Sequence, residues 1–430
     1  MNVPENMKMY KYKYRPKDVV LTINGENFEF KDGSVSYINF HHDYMKTHLP
    51  VIQMGLLMEV KLIRKFYDSK ELVNLTFTIN EEKYEEEEEG DSTKLKLLET
   101  VEYMKHTFVV VQAFERTTYI TADEDDNTDV DQGEVTLDQK MEEMRKLQNF
   151  EMYLVDLESV NWFDQEYSDH LVDVSYEGML QKLFMVREIP PDLGYATPPL
   201  QTGKIKDVSI PLGDLVSNID HYNQKYGIYD CDPIIYYDLE YFYCISKTKP
   251  DIIAPSATDF GTICFTLYNP DKPEIRISGS YDDAENETHW VNLQTEPNID
   301  DTRVRDVNAK MSTLASINAK GIVNKTTLDE EATRMQYIFA HHKYSEKQVL
   351  NENMTHGPAV HMTFENISVK FIRPYKDFKF ETDTSYQSLD LMGHIFRILS
   401  WNMSIQREGF DDYITDVMMT LYNPDWESEK

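Results

Sequence analysis

The acidic stretch DEDDNTDVDQGE, residues 123–134, has the residue types of a calcium-binding loop. Counted from Asp123, side chains with oxygen atoms fall at positions 1, 3, 5, 7 and 9, and Glu134 falls at position 12, which is the ligand spacing of such loops. Position 6 is Thr128, where the sharp turn needs glycine. Because a flexible loop without that turn residue binds calcium weakly, we interpret residues 121–135 as a solvated acidic loop and predict no metal site.

Histidines occur in groups whose spacing differs from that of a zinc site. His341 and His342 are followed by His356 and His361, with 14 residues from the second to the third and no cysteine nearby. Structural zinc sites take paired ligands at short, defined spacing. We therefore interpret these residues, and the pair at 41–42, as surface or core histidines.

Paired carboxylates are the remaining candidate chemistry, because glycoside hydrolysis needs two acids around the scissile bond. Asp238 and Glu240 have suitable side chains, but the chain holds 76 acidic residues, so such a pattern carries little information. The sequence has no G-x-S-x-G, no H-E-x-x-H and no phosphate-binding glycine loop. It therefore predicts no catalytic residue, no cofactor-binding residue and no enzymatic activity.

The net charge of the chain is −33, from 76 acidic and 43 basic residues in 430. A field of that sign repels nucleic acid and anionic membrane, although solubility alone also accounts for such acidity. Hydrophobic residues make up 41% and aromatic residues 12%, which is typical of folded protein and favours strands. We expect DNA near this protein to pass without binding.

The cysteine pattern and the N-terminal residues indicate a protein made in the cytoplasm. Cys231, Cys244 and Cys264 form neither a C-x-x-C pair nor an even disulfide set, so we predict reduced thiols. The first residues lack the apolar core of a secretion signal, and no run of 18 apolar residues occurs. The sequence predicts no secretion signal and no membrane span.

Turn signals and alternating apolar residues predict a first small β-barrel within residues 1–120. Asn24–Gly25 lies between two β-rich runs, which is the strongest short-range signal for a hairpin. A short helix is expected next to these strands, with Val60, Ile63 and Tyr67 on one side. The inward-facing strand residues are predicted to be Ile52, Met54, Leu56, Met58, Leu75, Phe77 and Ile79.

Residues 121–203 are predicted to hold the acidic loop, two helices and a proline-rich linker. The helices are expected within LDQKMEEMRKLQNF (137–150) and EGMLQKLFMVRE (177–188). The linker over 188–204 carries two Pro-Pro pairs and two glycines, which favour extended backbone. We place a domain boundary there.

Residues 204–305 are predicted to form a middle α+β domain. Leu215, Ile219, Tyr222 and Tyr226 fall at helical spacing, and Gly227 follows where a helix commonly ends. The aromatic runs IIYYDLE and YFYCIS come next and predict two strands with a turn near Asp238–Glu240. The unit is therefore a helix followed by two paired strands.

Residues 306–430 are predicted to contain a polar and helical segment and a second β-barrel. A helix is expected in LDEEATRMQYIFAHH (328–342), and two long alternating strands joined near Glu408–Gly409 are expected to form a hairpin that closes the barrel. The residues on the inner faces of that hairpin are predicted to be Leu399, Trp401, Met403, Ile405, Tyr413, Thr415, Val417, Met419 and Leu421.

The letters TLYNPD occur twice, at 266–271 and 420–425. In each copy an alternating strand is predicted to end at Leu-Tyr, and Asn-Pro-Asp then turns the chain away. The residues before the two copies differ, and we place the first copy outside both barrels. The repeat therefore predicts two similar strand ends rather than duplicated domains.

Two segments resemble baseplate hub proteins of contractile phage tails. The sequence IPLGDLVSNIDHYNQKYGIYDCDPIIYYDLEYFYCISKT (210–248) is similar to their middle region, and SLDLMGHIFRILSWNMSIQREGFDDYITDVMMTLYN (388–423) is similar to the closing hairpin of their second tube-like barrel. The segments VVLTINGENFEF and LPVIQMGLLME suit their first barrel. Asn402 lies near the place of a histidine that is common in the family's hairpin.

The resemblance implies an α+β, β-rich fold with two small tube-like β-barrels and an intervening α/β region, assembled as a homotrimer. Two barrels per chain would make a pseudo-sixfold ring, matching a sixfold tail tube above and a threefold spike below. The implied partners are further copies of the chain, the tail tube protein, the central spike protein and baseplate wedge proteins, with DNA only passing through.

The same resemblance implies a late structural protein of the virion, located in the tail baseplate and synthesised in the host cytoplasm. Three alternatives stay open from the sequence: a tail-associated cell-wall hydrolase, another β-rich virion protein, and a calcium-dependent binding module.

Overall fold

The computed structural model describes 10–116, 147–246, 263–268, 278–282, 288–300 and 359–422, apart from 32, 45–46, 90–91, 190–193, 197, 230–232, 371, 375–376, 383–393 and 410–411. The acidic loop at 121–135 and the helix predicted at 328–342 lie outside the described residues. Among the helices in the described ranges, none has the length and apolar character needed to cross a membrane.

The first seven strands form an antiparallel half of the main sheet. They are β1 (Tyr10–Ile23), β2 (Glu26–Glu29), β3 (Val35–Asp43), β4 (Val51–Glu59), β5 (Asn74–Glu89), β6 (Ser92–Arg116) and β7 (Leu147–Asp156). Their order in space is β2-β1-β5-β6-β7-β4-β3. Asn24 and Gly25 have φ values of 49° and 78°, so the predicted two-residue turn between β1 and β2 is confirmed.

The predicted inward-facing positions of this half are confirmed. Every one of them, from Ile52 in β4 to Ile79 in β5, is fully buried. Helix α1 (Val60–Asp68) follows β4 as predicted, but Ile63 and Phe66 are its buried residues, and Tyr67 is 37% exposed. The prediction is thus confirmed for Ile63 and wrong for Tyr67, whose ring lies 6.0 Å from Phe150 but stays partly exposed. Phe66, which the pattern did not single out, is buried against Phe150 with the ring centroids 5.0 Å apart.

Strand β7 corrects the helix predicted at 137–150. Residues 147–150 begin this strand, and the earlier part of the predicted helix lies outside the described residues. Phe150, Met152 and Leu154 alternate and are fully buried between β4 and β6. The period-two pattern of this apolar set outweighs the helix-favouring residues that precede it.

The second half of the main sheet closes on itself. Its strands are β13 (Ile263–Tyr268), β14 (Ser278–Asp282), β15 (Thr288–Asp300), β16 (Ala359–Glu365), β17 (Asp377–Thr382), β18 (Phe396–Glu408) and β19 (Asp412–Tyr422). They follow the order β17-β13-β14-β15-β16-β19-β18, and β17 also pairs with β18, which completes a seven-stranded ring. Gly409 has φ of 73° in the predicted β18–β19 turn, and the predicted inner residues of that hairpin are buried.

The two halves form one continuous sheet through β3 and β18. Ser400–Gln406 of β18 pair antiparallel with Tyr37–Asp43 of β3, so the N-terminal and C-terminal strands share a hydrogen-bonded ladder. Both copies of TLYNPD end a strand at tyrosine, as predicted. The first copy, however, ends β13 inside the seven-stranded ring, because β13 pairs with β17; its predicted place outside both barrels was wrong.

The middle of the chain contributes the remaining helices and two small sheets. Helices α2 (Leu157–Asp164), α3 (Tyr176–Val186) and α4 (Leu215–Tyr226) begin at Asp156, Ser175 and Asp214, whose side chains each accept a hydrogen bond from a first-turn backbone N–H. The strands are β8 (Tyr167–Ser175), β9 (Gly194–Ala196), β10 (Lys204–Gly213), β11 (Ile234–Tyr237) and β12 (Phe242–Ile245). β8 pairs with β10, and β12 lies between β11 and β9.

The described chain confirms a β-rich α+β fold. The predicted helix before Gly227 is confirmed, since Gly227 has φ of 65° and ends α4. The two aromatic strands with a turn at Asp238–Glu240 are confirmed as β11 and β12. The ladders cross the predicted boundaries at 120 and 305, because β7 pairs with β4 and β6, and β13, β14 and β15 belong to the C-terminal ring.

Candidate functional site

Asp238 and Glu240 lie in the turn between β11 and β12, and Arg373 binds both. Arg373 Nη1 donates to Asp238 Oδ2 at 3.0 Å, and Nη2 donates to Glu240. Leu239 between the two acids has φ of 76°, which bends the backbone so that both carboxylates meet one guanidinium. Arg373 is 135 residues away in sequence from Asp238 and belongs to the segment that enters β17. The acid pair therefore anchors the middle sheet to the C-terminal ring.

The Asp238 carboxylate is enclosed by hydrogen-bond donors. Besides Arg373, it accepts from the backbone N–H groups of Glu240 and Tyr241 and from the hydroxyl of Tyr243. Burial raises the pKa of Asp238, and the nearby Arg373 guanidinium opposes that rise. Because every one of these partners donates, the site matches an ionised carboxylate that is held in place.

Arg373 is itself buried and lies over the ring of Tyr241, with 5.2 Å from its guanidinium carbon to the ring centroid. Burial alone lowers its pKa, but Tyr243, Asp238 and Glu240 outweigh that effect, so the pKa of Arg373 is raised and the guanidinium stays charged. Arg373 contacts both carboxyl groups that a glycosidase pair would use, although its single charge balances only one of them. The arrangement is that of a structural ion pair between the middle sheet and the C-terminal ring.

A second buried contact joins β3, β18 and β11 around His42. The His42 ring stacks on Trp401 with centroids 4.2 Å apart and planes 6° apart, and its Nδ1 lies 3.1 Å from the Tyr236 hydroxyl. Trp401 Nε1–H donates to the Tyr44 hydroxyl at 2.7 Å. Burial lowers the pKa of His42, with further lowering from the neighbouring His41 and from Arg373. The neutral imidazole is thus part of the buried contact where the two halves of the main sheet meet the middle sheet.

A third contact joins β1 and β5 to the segment that follows β16. The Tyr14 hydroxyl donates to Glu81 Oε2 at 2.5 Å, and Ser368 Oγ donates to the same oxygen at 3.1 Å. The Val369 backbone N–H donates to the Tyr14 hydroxyl at 2.9 Å, and Lys370 Nζ lies 2.8 Å from Glu81. Burial raises the pKa of Tyr14 well above its usual value, so it stays protonated and donates to the carboxylate. This network fixes the N-terminal strands against the C-terminal half.

The sequence drew attention to an acidic stretch and several histidines as conceivable metal ligands, and the structure describes only part of this set. The stretch 123–134 and His341, His342 and His356 lie outside the described residues, and His361 belongs to β16. His41 contacts the side chain of Asn402 across the β3–β18 ladder. In the part of the chain that the structure describes, no group of three His, Cys, Asp or Glu side chains is arranged to hold a metal ion.

Cys244 is a buried free thiol in β12, and burial raises its pKa to about 12. Such a thiol is unreactive at neutral pH. Its Sγ lies 3.8 Å from the hydroxyl of Tyr229, which is also buried. The side chains of Cys231 and Cys264 lie outside the described residues.

A cleft of about 1110 Å³, which no sequence pattern indicated, lies between α2, the end of β10 and the start of α4. Arg187 lines it but is almost fully buried, and its guanidinium donates to the backbone oxygens of Leu183 and Gln165. Burial lowers the pKa of Arg187 to about 10, and Asp214 opposes that change. The other charged residues of the cleft are Glu158, Asp164, Glu166, Glu188 and Asp214. The arginine therefore joins secondary elements, and the cleft presents carboxylates to solvent.

No protein-family model and no curated protein matches the chain. Among solved structures, a tail protein from Neisseria meningitidis is similar over 96% of this chain and 97% of its own length, with 7% identity and a TM-score of 0.34. The 43 kDa tail protein of prophage MuSo2 from Shewanella oneidensis covers 95% of this chain and 98% of its own length, with 7% identity and a TM-score of 0.39.

An Escherichia coli component of the type VI secretion system, described as similar in structure to bacteriophage T4 tail proteins, covers 94% of this chain and 76% of its own length, with 8% identity and a TM-score of 0.34. At identities of 7–8%, these likenesses assign no activity and no partner to the chain. These three similar structures are thus two tail proteins, one of them from a prophage, and one component of the type VI secretion system.

Proposed function

We propose that the chain is a structural hub of a contractile phage tail, which adapts a sixfold tail tube to a threefold central spike. The observation that carries the proposal is the main sheet of 14 strands, seven N-terminal and seven C-terminal, joined by the hydrogen-bonded ladder between β3 and β18. A chain with two such strand sets, repeated three times about an axis, presents six similar units, which matches sixfold symmetry on one side and threefold on the other.

Three buried polar contacts support a fixed arrangement of the two strand sets and the middle sheet. The Arg373 ion pairs, the His42–Trp401 stack and the Tyr14–Glu81 hydrogen bond each connect elements distant in sequence, by 135, 359 and 67 residues respectively. Satisfied buried polar networks fix one relative position of the elements that they join. A protein that transmits symmetry between two partners needs this fixed geometry, whereas a catalytic role needs a reactive group that is free to act.

The acidic composition suits a ring through which DNA passes. A net charge of −33 per chain would be −99 in a trimer, and a lumen of that sign repels the DNA backbone. The proposed partners are further copies of the chain, the tail tube protein, the central spike protein and baseplate wedge proteins, and the proposed location is the virion tail baseplate.

The proposal is tested by the mass of the purified full-length chain, measured by light scattering alone and after addition of the spike protein from the same particle. We expect three copies per assembly, either alone or with the spike. A mass that stays at one copy in both conditions contradicts the proposal.

The alternative of a cell-wall hydrolase has a separate test. Purified protein added to cell walls is expected to leave their turbidity unchanged, because Arg373 binds both Asp238 and Glu240. Clearing of the walls that is lost in an Asp238→Asn variant, while the variant keeps its fold, would establish the hydrolase instead.

A further inference from the structure

The outer edge of β6 carries exposed leucines. β6 pairs with β7 only over Phe108–Arg116, so in the described part of the chain no strand pairs with that edge over residues 92–107. Leu95, Leu97 and Leu98 on this stretch are 38%, 50% and 44% exposed, and all of residues 95–100 are exposed on both faces. An unpaired edge with apolar side chains is a template for a further strand.

A second edge with matching character lies on β8. Within the described ranges, β8 pairs with β10 alone, so its other edge is also without a strand. Val172 on β8 is 67% exposed, and its neighbours include Asp173 and His170. The Asp173–Lys204 ion pair within this ribbon is exposed at both ends, so it stabilises the ribbon little and leaves the carboxylate within reach of another cation.

We propose that the β6 edge of one copy pairs antiparallel with the β8 edge of a neighbouring copy, with Leu97 opposite Val172. This inference rests on the proposed trimer and names the surface that would hold it together. The neighbouring pairs in this register are Leu95 with Val174 and Lys96 with Asp173, and the regular pairing ends at Leu97, because Leu98 is the extra residue of a β-bulge against β5.

The charges and apolar residues select this register. A slip of two residues in either direction places Lys96 opposite Ser175 or Leu171, so the pairing of its charge with Asp173 is lost. Asp173 has φ of 52°, so the proposed ladder between β6 and β8 is interrupted at that residue. The ion pair between Asp173 and Lys96 of the neighbouring copy lies at this interruption. Cross-strand apolar and opposite-charge pairs each contribute about 0.2–1 kcal/mol.

The contact joins two different edges, so each copy pairs its β6 edge with one neighbour and its β8 edge with the other. Such a head-to-tail interface closes into a ring when the rotation between copies is a whole fraction of a turn, and three copies close it at 120° in the proposed trimer. The same chain therefore supplies both sides of the contact, and no other partner is needed to cover the leucines.

Cysteine cross-linking of the full-length chain tests the pairing. Leu97→Cys and Val172→Cys variants are prepared separately, mixed and mildly oxidised. We expect covalently linked copies in the mixture and none with either variant alone, because each contact joins residue 97 of one copy to residue 172 of the next. The matched controls are the unmodified chain, with its three native cysteines, and a mixture of Leu97→Cys with Met418→Cys, a residue of β19 that is 38% exposed.

Absence of linked copies in the Leu97→Cys and Val172→Cys mixture overturns the inference, as does equal linkage with Met418→Cys. Efficient linkage of Leu97→Cys with itself would instead indicate a twofold contact between two β6 edges and would also overturn it. A charge exchange gives a second readout: Lys96→Asp lowers the association constant up to about fivefold, and adding Asp173→Lys restores it.

The outcomes separate this inference from the proposed function. Three-copy assemblies without the cross-link would leave the hub proposal standing and remove the β6–β8 contact. Cross-linked copies that form open chains or pairs, with no three-copy assembly, would support the contact and remove the threefold hub.

Discussion

Replacing Arg373 with methionine is expected to destabilise the folded middle sheet by about 3–5 kcal/mol, because the change leaves Asp238 as a buried charge without its counterion. The guanidinium lies 3.0 Å from Asp238 Oδ2, and the two side chains are 7% and 2% exposed. Methionine fills much of the volume of the arginine stem, so the expected loss comes mainly from the charge.

The effect is measured as the free energy of local opening, by hydrogen exchange of peptides from residues 233–246, which contain β11 and β12. Lys204→Met is the matched control, because Lys204 forms an ion pair at 3.2 Å with Asp173 in which both side chains are more than 60% exposed. Such a surface pair contributes about 0–1 kcal/mol.

A double-variant cycle identifies the cause. Asp238→Asn removes the buried charge, so the Asp238→Asn and Arg373→Met pair should cost less than the sum of the two single changes. Additive costs, or an Arg373→Met loss no larger than that of Lys204→Met, would refute the conclusion that this ion pair holds the middle sheet to the C-terminal ring.

The buried His42, the close packing around Gly55 and the acidic stretch 123–134 each have a measurable consequence. Burial lowers the folded-state pKa of His42, so below about pH 6.5 the unfolded chain binds a proton that the folded chain does not, and stability falls by up to about 1.4 kcal/mol per pH unit as pH decreases. Thermal unfolding at pH 7 and pH 5.5 should show a smaller loss of stability for His42→Gln than for the unmodified chain. An equal loss in both would contradict the assignment. Gly55→Ala should destabilise by about 1–3 kcal/mol in urea unfolding, because its new Cβ would lie 2.5 Å from the Tyr37 ring and 2.6 Å from Ser36 Oγ. A smaller loss for Gly55→Ala when Ser36→Gly and Tyr37→Ala are already present supports that cause, and an equal loss in both backgrounds contradicts it. Calcium should leave the melting temperature unchanged, since the stretch 123–134 has Thr128 where the turn needs glycine; a calcium-dependent rise that is lost in Asp125→Asn would contradict this.

Local patterns predicted the elements that a short stretch of chain determines by itself. The β18–β19 hairpin, α4 with Gly227 at its end, and the aromatic pair β11 and β12 depend on periodicity and turn residues within about 30 positions, and each is confirmed. Strand faces were also predictable, because the two-residue period of a strand fixes which side chains turn inward.

Pairing between distant segments left no local signal. The β3–β18 ladder joins residues more than 350 positions apart. Strand β13 enters the C-terminal ring by pairing in parallel with β17, and the periodicity of neither strand indicates that pairing. The Arg373 ion pair is of the same kind: a lone arginine in IRPYKD has no sequence feature that indicates a carboxylate 135 residues earlier. Long-range register and buried charge pairing are properties of the folded chain as a whole.

The central claim, that three copies of this chain adapt a sixfold tube to a threefold spike, is tested most directly by imaging the assembled particle with the chain labelled by a specific antibody fragment. We expect three labels on a threefold collar directly below the tail tube. A label at another position, or six or more copies around the tube, would contradict it.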